Sequence, residues 1–126
     1  MERERFQELV LEALESLPRE FQERLENIVI VIEDWPSPAQ LAGLGIRRRR
    51  DLLGLYQGVP LTKRSIWQPT ELPNKITIFQ KPIEMRCSSE KEIVPKIQET
   101  VRHEIAHYFG ISDKRLREIR AMREEQ

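Results

Sequence analysis

The sequence predicts an α+β fold: helices packed around a small sheet of three strands, with the helix that carries the chemistry near the C-terminal end. Three observations support this. Apolar residues recur at helical spacing before position 26 and again from Ile93 onward. Three short stretches between them, 28–32, 52–56 and 75–80, have strand composition. Prolines and glycines cluster between these stretches, where the chain must turn. A length of 126 residues, 39% of them hydrophobic, suits one compact domain over 1–126 with a single core.

The first helix is amphipathic. Phe6, Leu9, Val10, Ala13, Leu14 and Leu17 fall on one face, with Glu, Arg and Gln between them. Pro18 cannot continue that helix but can open the next, shorter one, which presents Phe21 and Leu25 to the core. Ile28-Val29-Ile30-Val31-Ile32 is a β-branched run and reads as a buried strand covered on both faces. Pro36, Pro38, Gly43 and Gly45 then mark a surface loop with one helical turn near Ala39–Leu41.

Leu52 to Tyr56 is a second strand and Gly58-Val59-Pro60 a turn. Lys75 to Gln80 alternates polar and apolar residues with period two, as a half-exposed or edge strand does. These two strands can pair as a wide hairpin around the excursion 57–74. Trp67 near its tip either faces a substrate or covers the core. Ser89 with Glu92 forms a capping-box pattern, and Ile93, Ile97, Val101, Ile105 and Phe109 build the stripe of a long helix. Pro95 either kinks that helix or lies near its start. Gly110 terminates it, and Lys114 to Met122 reads as a final helix with Leu116 and Ile119 inward.

Lys plus Arg and Asp plus Glu number 21 each, so the formal net charge is zero. A generic nucleic-acid binder carries a basic excess, so nucleic acid is not an expected partner. The run Arg47–Arg50 reads as a solvated loop, with phosphate or acidic-substrate contact as the functional alternative. Cys87 has no second cysteine to pair with and reads as a small residue at a strand end, in a reducing compartment. Met1-Glu2-Arg3-Glu4-Arg5 is charged with no apolar segment after it, so no signal peptide and a cytoplasmic location are expected. No apolar run is long enough for a membrane helix.

The chemistry lies in residues 103–113, His-Glu-Ile-Ala-His-Tyr-Phe-Gly-Ile-Ser-Asp. His103 and His107, at i and i+4, share one helix face about 40° apart, so both imidazoles can reach one metal ion. Glu104 follows the first of them and can reach a water there without itself being a ligand. Zinc takes imidazole readily, and a catalytic site uses three protein ligands. A turn after Gly110 can bring Asp113 back as the third, although Asp113 or Ser112 can also cap the last helix. For the developing oxyanion, Tyr56, Tyr108 and Arg102 stand open as further donors.

On these residues the chain resembles the metzincin-type zinc signature His-Glu-x-x-His-x-x-Gly-x-x-Asp, and its layout is similar to the minimal zincin-like bacterial metallopeptidases. Further local similarity lies in Ala13-Leu14-Glu15-Ser16-Leu17-Pro18, in Val31-Ile32-Glu33-Asp34, and in the stretch from Leu53 to Leu61. The resemblance implies a minimal zincin-like fold with a small mixed sheet beside the active-site helix. It implies zinc at His103, His107 and Asp113, Glu104 as the catalytic base, and a peptide or protein substrate. Metzincins also carry a supporting Met-turn. Here thirteen residues follow Asp113 and Met122 falls in a predicted helix, so a shallow substrate cleft is expected. Two other readings compete: a metal-dependent RNA-processing protein, which only Arg47–Arg50 favours, and a zinc-stabilised binding module without catalysis, which has no need of Glu104.

Overall fold

The computed structural model of the chain describes residues 1–58 and 74–108, which form five α-helices and a three-stranded mixed sheet. Helix α1 (Arg3–Glu15) buries Phe6, Leu9, Val10 and Ala13, the helical stripe read from the sequence. Leu17 is buried just beyond its end, and Pro18 caps α2 (Arg19–Leu25), its carbonyl accepting from the Phe21 and Gln22 amides. Arg3 ties the start of α1 to two strand ends. Its guanidinium donates to the Gln80 side chain at 2.8 Å, the Ile32 carbonyl at 3.1 Å and Asp34 at 2.6 Å.

Two strands exchange the places expected of them. Strand β1 (Ile28–Glu33) lies at one edge of the sheet, in the order β1-β3-β2. Only Ile28 is fully buried, and Val29 is 48% exposed. An unbroken apolar run therefore falls on an edge strand here, with no neighbour on its outer side among the described residues. Strand β3 (Asn74–Phe79) is central, parallel to β1 and antiparallel to β2 (Gly54–Gln57). Its alternation does not mean exposure: Asn74 and Thr77 are buried along with Ile76, Ile78 and Phe79. The expected pairing of β2 with β3 is present, Tyr56 lying opposite Ile76. Of the excursion between them, residues 59–73, Trp67 among them, lie outside the described residues.

The expected single turn near Ala39 is a full helix, α3 (Pro38–Leu44). Ser37 and Gln40 form a reciprocal capping box, and Gly45 closes the helix in the left-handed conformation at φ 68°. Helix α4 (Gln80–Met85) was not legible, since Pro82 argues for a break; it falls in the first turn, where its missing N–H costs nothing. The Ser89–Glu92 cap is shifted by one residue. Glu92 accepts from the Ser88 amide at 2.6 Å, a 3₁₀ turn spans Glu90–Glu92, and α5 (Ile93–Tyr108) follows. Pro95 sits in the first turn of α5 and therefore needs no kink.

Helix α5 packs on α1, α2, α4, β2 and β3. Ile93, Ile97, Val101 and Ile105 are buried in one core with Phe6, Leu9, Phe21, Ile28, Ile76, Ile78 and Ile83. Each such side chain contributes about 1.5–3 kcal/mol on burial, so the rotation of α5 is set by this stripe. Among the described residues no helix is long and apolar enough to cross a membrane.

Candidate metal centre

With its aliphatic stripe held in the core, α5 presents His103, Glu104 and His107 beside β2. The two imidazole rings lie 4.5 Å apart, centre to centre, at an interplanar angle of 66°. The ligand atoms of His103, Glu104 and His107 all lie within 4.8 Å of one another. His103 is half-buried, Glu104 is buried and His107 is exposed, so the cluster has a closed side toward β2 and an open side toward solvent.

Glu104 is held from two directions. The Tyr56 backbone N–H donates to its Oε2 at 2.8 Å, and His107 Nδ1 lies 3.4 Å from the same oxygen. Leu53 uses its carbonyl to accept from Phe79. By the alternation of an antiparallel strand, Tyr56 then turns its N–H away from β3, where the carboxylate meets it. Burial pushes the Glu104 carboxyl above the ordinary carboxylate range. The His107 charge, the Tyr56 N–H and the His103 charge pull the other way.

Gly54 allows this approach. A Cβ there would lie 2.6 Å from the Thr100 methyl and 3.6 Å from the Glu104 Cγ. Only a residue without a side chain lets β2 lie this close to α5. Gly54 and the Tyr56 amide were not among the residues singled out in the sequence. An isolated glycine inside a strand pattern is a known sign of close backbone approach, and that signal was present.

Two of the donors considered for an oxyanion have other roles. The Tyr56 hydroxyl donates to Asn74 Oδ1 at 2.7 Å. The Arg102 guanidinium lies 5.6 Å from the Phe21 ring centre, toward α2. The Tyr108 side chain, Phe109, Gly110, Asp113 and the expected helix from Lys114 to Met122 lie outside the described residues. Two imidazoles that converge with an open side, with a carboxylate beside them, fit zinc.

A helix with this cluster beside the outer strand of a small mixed sheet defines a zincin-like architecture. The sequence model of the zincin-like metallopeptidases matches residues 25–122, and the chain belongs to that family. Among solved structures it is similar to a conserved hypothetical protein from T. thermophilus. The two are 25% identical, with a TM-score of 0.53, over 86% of this chain and 94% of that one. None of the curated proteins compared with the chain matches it.

Proposed function

We propose that the protein is a zinc-dependent peptidase that hydrolyses peptide bonds, with His103, His107 and Asp113 as metal ligands and Glu104 as general base. The observation that supports this best is the placing of Glu104. A buried carboxylate is costly unless partnered, and this one is fixed within reach of both imidazoles by a backbone amide. A purely structural metal site has no use for it.

When bound, zinc supplies the Lewis acid that acidifies a water and polarises the scissile carbonyl. Glu104 takes a proton from the attacking water and passes it to the leaving amine. The Tyr56 N–H keeps its Oε2 oriented. The side of β2 away from β3 has no partner strand among the described residues, so an extended peptide can add there beside the cluster.

The test is zinc content and turnover on a peptide library for the wild type and four variants. Glu104→Gln should keep zinc and lose turnover by roughly 10²–10⁴, the usual weight of a general base. His103→Ala, His107→Ala and Asp113→Ala should each lose zinc affinity. A Glu104→Gln protein that still cuts peptides at the wild-type rate sinks the mechanism, and Asp113→Ala with undiminished zinc affinity removes Asp113 from the ligand set.

A further inference from the structure

The run Arg47–Arg50 lies on the segment that leads directly into β2. That segment is anchored at three points. Arg49 lies over the Trp35 ring, its guanidinium carbon 3.9 Å from the ring centre. Asp51 accepts from Arg86 at 3.2 Å, at the end of α4. Leu52 is buried in the protein. The remaining three, Arg47, Arg48 and Arg50, are exposed, and their side chains have no ion-pair or hydrogen-bond partner among the described residues. The one acidic side chain in their midst, Asp51, is already taken by Arg86. Four neighbouring arginines on a loop repel one another, and nothing in the fold's own packing requires three of them.

We propose that Arg47, Arg48 and Arg50 form a recognition site for a cluster of Asp and Glu side chains in the polypeptide substrate. This rests on the peptidase reading above and names its substrate class. Arg50 and Tyr56 are only six positions apart, a span of about 20 Å for extended chain. A peptide lying along the outer side of β2, with its scissile bond at the His103–Glu104–His107 cluster, therefore brings residues within about six positions of that bond to the arginines.

The chemistry favours an acidic polypeptide over a nucleic acid. The five arginines here (47–50 and 86) against Asp51 give four net positive charges, so the rest of the neutral chain carries four net negative ones. A long polyanion leaving the patch meets that acidic remainder, whereas a short run of carboxylates touches the patch alone. One face of Trp35, an aromatic ring beside the arginines, is taken by Arg49 and is closed to a stacking base. Arginine suits carboxylates through its fork of donors.

The experiment compares the zinc-loaded wild type with the triple variant Arg47→Glu/Arg48→Glu/Arg50→Glu; Arg49 stays because it packs on Trp35. Paired fluorogenic peptides differ only in an Asp/Glu or an Ala cluster four to eight residues from the scissile bond, on either side. The acidic member should show a KM lower by about tenfold, as three exposed ion pairs supply, with kcat little changed. The preference should vanish in the triple variant and, for the wild type, in 0.5 M salt, which screens such pairs. The salt arm holds even if the triple variant fails to fold. Separately, Glu104→Gln protein should bind a labelled octaglutamate peptide, and the same protein with the triple reversal should not. Equal KM for the two peptides, or a preference that survives the reversal or the salt, overturns the proposal. So does tighter competition by an RNA oligomer or by anionic phosphatidylserine vesicles than by the acidic peptide. If no peptide is cut at all, the peptidase reading fails, and the octaglutamate binding alone decides whether the arginines take carboxylates.

Discussion

At the scale of single residues, the site divides into a legible and an illegible part. His103, Glu104 and His107 were readable because helical spacing alone puts i and i+4 side by side, and α5 is helical through all three. The partner of Glu104 was not readable, because it is a backbone amide 48 residues away and any residue type carries one. Cys87 shows the same limit from another direction. It is partly buried against the core, and burial is the main cause that holds its thiol pKa above the ordinary value, with Glu92 adding to the effect and Lys96 opposing it. A raised thiol pKa means less thiolate at any pH below it, and the thiolate is the nucleophile. At pH 8 the folded protein should therefore react with a thiol reagent more slowly than the urea-unfolded chain, and the two rates should converge as the pH rises above the folded value. A folded thiol that reacts as fast as the unfolded one at pH 8 would sink this prediction and leave Cys87 open as a reactive group.

At the scale of elements, the sequence named strands and helices well but misjudged their neighbours. The composition of β1 marked it as a strand covered on both faces, yet among the described residues it lies at the sheet edge and only Ile28 is buried. Strand β3 read as half-exposed because Lys75 and Thr77 alternate with apolar residues, yet β1 and β2 flank it and helices cover it. Local pattern gives the element, and tertiary context decides which face is wet. The contact between β2 and α5 is the one on which the site depends, and it rests on Gly54. The Thr100 hydroxyl donates to the Lys96 carbonyl at 2.8 Å, which fixes its rotamer and aims its methyl at Gly54. Gly54→Ala should push the strand off the helix, cost about 1–3 kcal/mol as overpacking does, and weaken the Tyr56–Glu104 hydrogen bond. Turnover should fall further than stability alone accounts for. Adding Thr100→Ser, which removes the methyl, should restore both. Urea unfolding and peptide turnover on the single and double variants measure this. A double variant no better than Gly54→Ala alone means that the close approach does not hold the site.

At the scale of the whole molecule, the same helix carries the centre of the core and the metal cluster, so folding and metal binding are linked. Ile97, Val101 and Ile105 sit in the core, while Glu104 meets β2 and lies in one cluster with His103 and His107. The two imidazoles are brought together by the helix, and in the folded arrangement β2 has docked and Glu104 is fixed beside them, so an ion held there should favour the folded state. A ligand that binds only the folded state stabilises it by RT ln(1 + [L]/Kd), about 2.7 kcal/mol at a hundredfold excess over Kd. For a chain of this length that corresponds to a rise in Tm of roughly 10 °C. Zinc at that excess should produce such a rise in the wild type and little or none in His103→Ala or His107→Ala. Magnesium, which prefers oxygen ligands in an octahedron, should leave the wild type unmoved. The Glu104→Gln protein should keep most of the zinc shift if, as proposed, its carboxylate acts on the water rather than on the ion. Calorimetric scans of the metal-free protein with and without each metal make the comparison. An equal zinc shift in both histidine variants would place the ion elsewhere and separate α5's core role from the chemistry proposed for it.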